Sequence, residues 1–249
     1  MFVVMPVLAV ALAHAFDFHP AVEIALVVLS ISPMPPLLPR REAKAGGRTP
    51  YALGLLAIAA LLSIAVVPLG AELLGHYFGR PLAMPPGAIA QLALKTVLLP
   101  LAAGIALRAS LPAVADRIAK PFAVVATVLL LVGVLAIAAG ALPAALALVG
   151  NGTLLAISAF VVAGLTIGHW LGGPRADERI VLALSTASRH PAIALAVAKV
   201  NFPDEPRLGA AILLYLIVAT LVGVPYVARQ RRRVAQPIGQ KPFASHLDQ

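Results

Sequence analysis

The chain is 249 residues long, 61% hydrophobic and only 12% charged, with a formal charge of +9. Its mean hydropathy of +0.96 lies far outside the soluble range, and residues 121–174 contain no Asp, Glu, Lys or Arg, room for two bilayer crossings of about 20 residues each. That excludes a soluble core, a disordered chain and a collagen-like one. With no cysteine there is neither a disulfide framework nor a thiolate metal site, and the basic residues sit between apolar runs rather than on a nucleic-acid-binding face.

Apolar runs punctuated by Gly, Pro and charge predict eight spans: 1–16, 20–39, 51–72, 87–108, 121–141, 151–172, 180–199 and 207–228. Continuous runs of about 20 residues are helices; barrel strands would be about 10 residues long and alternating. The expected fold class is therefore an all-α integral membrane protein with about eight transmembrane helices. A single polytopic membrane domain covers 1–228, and a basic polar tail covers 229–249. The first run is not read as a signal peptide, because it lacks a basic start, carries Pro6 and His14, and ends in a poor cleavage sequence, Phe16-Asp17-Phe18-His19. It is short and already apolar at Met1, as if a longer segment were clipped.

Lys and Arg are retained on the cytoplasmic side. Alternating the eight spans puts fourteen of them on the side of residues 40–50, 109–120, 173–179 and the tail, and only Arg80, Lys199 and Arg207 on the other. The expected location is the inner cell membrane, multi-pass, with both termini cytoplasmic.

The second span breaks at Ser30-Ile31-Ser32-Pro33-Met34-Pro35-Pro36-Leu37-Leu38-Pro39. Four prolines in seven residues cannot continue a helix. Each removes its own N–H and, by helical extrapolation, orphans the carbonyls of Leu29, Ile31, Ser32 and Pro35. Unpaired carbonyls are too expensive in hydrocarbon to face lipid, so this backbone must meet protein, water or a cation.

The seventh span breaks at Ser185-Thr186-Ala187-Ser188-Arg189-His190-Pro191, where Pro191 frees the carbonyl of Ala187. Three hydroxyls, an arginine and a histidine within six residues of an otherwise apolar span mark a cavity or pathway. Each broken span follows one complete span and precedes a polar connection and a final apolar helix. Spans 1–3 therefore form a partial counterpart of spans 6–8 in opposite orientation, the inverted-repeat plan of secondary transporters, and a ten-span parent is implied.

These features resemble the bile acid:sodium symporter family and its arsenite-efflux and organic-anion relatives. The resemblance covers most of 1–228 and rests on Met5-Pro6, Ser32-Pro33 and Ser188-Arg189-His190-Pro191 followed by Ala192-Ile193-Ala194-Leu195-Ala196. It implies ten helices in two inverted repeats whose fourth and ninth helices unwind where they cross, with this chain corresponding to helices three to ten and lacking the first two. Sodium-coupled members carry Pro-Gly-Gly and then Ser-Asn at the first crossing, where this chain has Pro33-Met34-Pro35 and then Leu38-Pro39. The family's Glu, Gln and Asn at the second crossing fall on Ser185, Arg189 and His190, so the carboxylate is replaced and a cation stands at an ion position. Both departures argue against the usual two-sodium site.

The expected function is a secondary transporter moving a small organic anion or related solute by alternating access. The alternative is a transport-incompetent truncated paralogue or membrane scaffold. No enzymatic activity, cofactor or metal is expected, and Na+ or H+ stays open as the coupling ion. The partners are a small-molecule solute and the lipid bilayer, with no nucleic acid, and the oligomeric state is left open. The candidate substrate- or ion-binding residues are Ser32, Pro33, Ser185, Ser188, Arg189 and His190. Arg189 either binds an anion or replaces a coupling cation, against the plainer reading that it satisfies freed carbonyls; His190 carries a proton or only bridges helices. Glu23 is placed to pair with Lys95 or to reach the interface, and His14 and His169 are read as packed or interfacial.

Overall fold

The computed structural model describes residues 1–79, 82 and 85–235. Arg80, Lys241 and the rest of the tail from 236 onward lie outside the described residues. Among the described residues the regular structure is helical: α1 Val4–Ala15, α2 Pro20–Ile31, α3 Leu38–Lys44, α4 Thr49–Tyr77, α5 Pro86–Ala93, a π-type segment Leu94–Leu98, α6 Leu99–Ser110, α7 Pro112–Leu146, α8 Thr153–Leu171, α9 Ala176–Ala187, α10 Pro191–Asn201 and α11 Leu208–Ala235. Among the described residues, five helical stretches are long and apolar enough to cross a membrane, and α1 and α2 are shorter apolar helices. This is an all-α, multi-pass integral membrane protein. Each of the eight apolar runs has a helical counterpart, and α11 continues through the arginine cluster to Ala235.

Proline explains where helices begin. It sits in the first turn of α2, α3, α4, α5, α7 and α10, where its missing N–H has no intrahelical partner to lose. A lone proline does not suffice to end a helix here, since Pro68 lies inside α4 and Pro225 inside α11. The first break needs the repeated prolines after Ser32, whose backbone is extended at φ −71°, ψ 146°. The second needs Ser188, also extended at φ −103°, ψ 138°, and His190, which caps α10.

The two breaks divide matching units. The first is α1, the half-helix α2, the short α3 and the long α4; the second is α8, the half-helix α9, the short α10 and the long α11. Their ends run in opposite senses. Arg48, before α4, donates from its backbone N–H to the Asp177 carbonyl and pairs with Glu178 at 3.0 Å, so residues 40–50 share a side with the start of α9. Arg207 lies 2.9 Å from His19, so the start of α2 shares a side with the connection before α11.

The half-helices are held differently. Ten of the twelve residues of α2 are buried, enclosed by α1, α4, α10 and α11. The docking of α9 on α8 uses Gly164, Gly168 and Gly172, spaced by four along one face of the two-helix contact. A Cβ at these positions would lie 2.9 Å from Ala187 Cα, 2.5 Å from the Leu182 carbonyl oxygen and 2.5 Å from Arg179 Cα. Small residues at this spacing let membrane helices approach backbone to backbone. In contrast, α6 buries no side chain, and α7 exposes Phe122, Val124, Val125, Leu129 and Leu135, as a lipid-facing surface does.

Candidate functional site at the helix crossing

The two breaks meet. The backbone N–H of His190 donates to the Pro33 carbonyl at 2.7 Å and to Ser32 Oγ at 3.2 Å. Arg189 spans the junction, donating from Nη1 to the Ser32 carbonyl at 3.3 Å and from Nη2 to the Thr186 carbonyl at 2.7 Å. These oxygens belong to the C-terminal ends of α2 and α9, where helix dipoles leave partial negative charge. The guanidinium therefore occupies the position that a cation bound by the two half-helix ends would take, and like-charge repulsion opposes a sodium ion there.

Four of the freed carbonyls have partners within the protein. The Leu29 carbonyl accepts from the N–H and the hydroxyl of Ser32, that of Pro35 accepts from Leu38, that of Ser32 from Arg189, and that of Ala187 from the Tyr215 hydroxyl on α11 at 3.0 Å. The crossing is closed. Ser30, Ser32, Ser185, Thr186 and His190 are buried, and Arg189 is only 1% exposed. Ser188 is half-buried, its hydroxyl without a hydrogen bond among the described residues. Unspent polar capacity remains at Arg189 Nε and His190 Nε2, both buried without a partner among the described residues. His190 Nδ1 accepts from the Ile193 N–H at 3.5 Å, capping α10. Ser30 bonds back to the Val27 carbonyl at 2.6 Å and contributes nothing across the crossing.

A model of the Sodium Bile acid symporter family matches residues 1–164, a stretch that takes in α1 to α7, the first break and most of α8. The chain belongs to the sodium bile acid symporter family. No curated protein matches it. As a member of this family it is a membrane transporter, and its solute is a small molecule.

Within this symporter-family chain, residue-by-residue reasoning missed two groups. Ser185, which stands where the family's glutamate falls, donates its hydroxyl to Oε1 of Glu42 on α3 at 2.6 Å. A carboxylate is thus present at the crossing, delivered by the other break. Glu42 is fully buried and its Oε2 has no hydrogen-bond partner among the described residues; burial pushes its carboxyl up to about 7 against the opposite pull of the Ser185 hydrogen bond. Reading 40–50 only as a polar connection hid it, because α3 turns back to pack on α4, α9 and α11. Tyr215 was the other, an apparently ordinary aromatic in an apolar span. Glu23 does not pair with Lys95: it accepts from the Tyr77 hydroxyl at 2.6 Å, while Lys95 is exposed. His169 lies 2.8 Å from the Tyr226 hydroxyl and His14 bonds back to Val10, both helix-packing roles.

Proposed function

We propose that the protein moves a small organic anion or related solute by alternating access, with the solute bound where the Ser32–Pro36 and Ser185–Pro191 breaks cross. The observation that carries this reading is the buried guanidinium of Arg189 held between two helix ends. A charge is seldom placed at such depth without a pathway or substrate to serve, since insertion of arginine at a helix centre costs about 2.5–3.5 kcal/mol or more. Its donors at Nε, with Ser188 and His190 Nε2 nearby in the chain, supply the hydrogen bonds a carboxylate needs. Ser32 and Pro33 fix the acceptor side of the crossing. The units around the breaks form the site, and α5–α7 belong to a panel that moves against them. Residues 40–50 and 173–179 face the cytoplasm of an inner cell membrane, by the excess of Lys and Arg there.

Because Arg189 stands at the helix-end position, the cycle does not depend strictly on sodium. The test uses proteoliposomes, radiolabelled taurocholate as first probe and unlabelled organic anions as competitors. Uptake is expected in the wild type, equal in sodium and in choline, and absent from Arg189→Ala that remains monodisperse in detergent. Uptake retained by folded Arg189→Ala rejects the site, and strict sodium dependence rejects the coupling argument.

A further inference from the structure

Glu42 is the acidic group the transport reading leaves unused. It is 0% exposed, it faces the crossing through Ser185, and one of its two oxygens is unpartnered. Among the described residues no cation is paired with it. On its own helix, Arg40 and Lys44 are exposed and Arg41 lies against Gly223 of α11. From α4, Arg48 is paired with Glu178, and Tyr51 makes no bond to it. From α9, Asp177 is paired with Arg175, Arg179 is bound to the Gly173 carbonyl, and Arg189 is turned to the Ser32 and Thr186 carbonyls. From α11, Tyr215 serves the Ala187 carbonyl, Tyr226 serves His169, and Arg229 and Arg231 to Arg233 are exposed.

A buried carboxylate with a free oxygen and no cation is unfavourable, so the closed crossing demands the neutral acid. We propose that Glu42 and Ser185 form a proton-binding site on the crossing, in which Oε2 of Glu42 takes one proton from water when the crossing closes and returns it when opening rehydrates the carboxylate. The step forms one O–H bond on Oε2 and breaks one in a solvent hydronium ion, which is left as water; opening reverses it. It rests on the transport reading for its consequence: two states that differ in proton affinity couple solute movement to a pH gradient through a carboxyl on α3. His190 is the poorer carrier. Its Nδ1 already accepts from a backbone N–H at the start of α10, where the helix dipole opposes positive charge.

The experiment is an infrared pH titration of the full chain in lipid, following the C=O band of the neutral carboxylic acid in choline and in sodium buffers. The wild type should show a band titrating near pH 7 that is unaffected by sodium, lost in Glu42→Gln and kept in the exposed-site control Glu72→Gln. Ser185→Ala, which removes the hydroxyl that favours the carboxylate, should move the midpoint upward and so separates titration from misfolding. A band unchanged in Glu42→Gln overturns the proposal, as does a midpoint displaced by sodium, which would mean that Oε2 takes a metal cation. In the transport arm, a pH gradient should alter taurocholate uptake by the wild type and not by Glu42→Gln. The Glu42 band present without uptake of taurocholate or any competing anion defeats the transport reading and leaves the proton site standing.

Discussion

The first break is made of proline and the second of polar side chains, and each supplies what the other lacks. Between Ser32 and Leu37 the backbone is rich in carbonyls, and the Ser32 hydroxyl is the one side-chain group from it among the hydrogen bonds across the crossing. Between Ser188 and His190 the chain brings a guanidinium and a free backbone N–H, and the Ser32 and Pro33 oxygens accept from them. Two unwound segments are tolerated inside lipid because their hydrogen-bonding deficits are complementary. One acidic residue crosses that division, Glu42, which follows the acceptor break yet is bound by Ser185 on the donor side.

Removing the donor is the severest way to break this pairing. Arg189→Ala leaves the Ser32 and Thr186 carbonyls unpaired and opens a cavity, an expected loss of about 4 kcal/mol. Thermal unfolding in detergent measures it, and Arg189→Lys should recover only part, since one ammonium cannot fork to both carbonyls. Next comes pH. The Glu42 carboxyl is raised from its ordinary 4.5 to about 7. Its preference for the neutral form stabilises the fold fully below about 4.5 and is lost as pH rises through 7. Between pH 5 and 8 the wild type should lose on the order of 3 kcal/mol that Glu42→Gln does not lose, so the variant should be the more stable at pH 8 in a melting series.

The half-helices differ in a second way, which smaller perturbations sharpen. Gly168→Ala forces a methyl against the Leu182 carbonyl and Ala183 Cα, so α9 must shift from α8 at an expected cost of about 2 kcal/mol. An alanine on an enclosed but less tightly apposed position, Leu29→Ala in α2, should instead cost through a cavity. Comparing the two by hydrogen exchange distinguishes displacement of the donor break from loosening of the acceptor break. Tyr215→Phe removes the hydroxyl that satisfies the Ala187 carbonyl and should cost about 1 kcal/mol, read as a small drop in melting temperature.

Much of this architecture was legible because its causes are local. Apolar run length marks spans, and repeated proline marks the first break without knowledge of any neighbour. The donor cluster at 185–190 stood out against an Ala, Leu and Val background. The partners did not. Nothing near Glu42 in the chain says that α3 folds back to bury it, nothing near Glu23 selects Tyr77 over Lys95, and Tyr215 looks like any aromatic until its hydroxyl meets a carbonyl freed 28 residues earlier. The spacing of Gly164, Gly168 and Gly172 was an available signal for the α8–α9 seam. These choices are made by packing, which a linear pattern records only indirectly.

The two breaks touch, and in the proposed cycle solute passes between them. Because the chain has no cysteine, the pair Ser32→Cys and His190→Cys can be oxidised in membranes without background. An intramolecular disulfide that halts uptake and is reversed by reductant is the expected result. Failure of the two cysteines to join under oxidant, in a protein that still folds and transports, would contradict it.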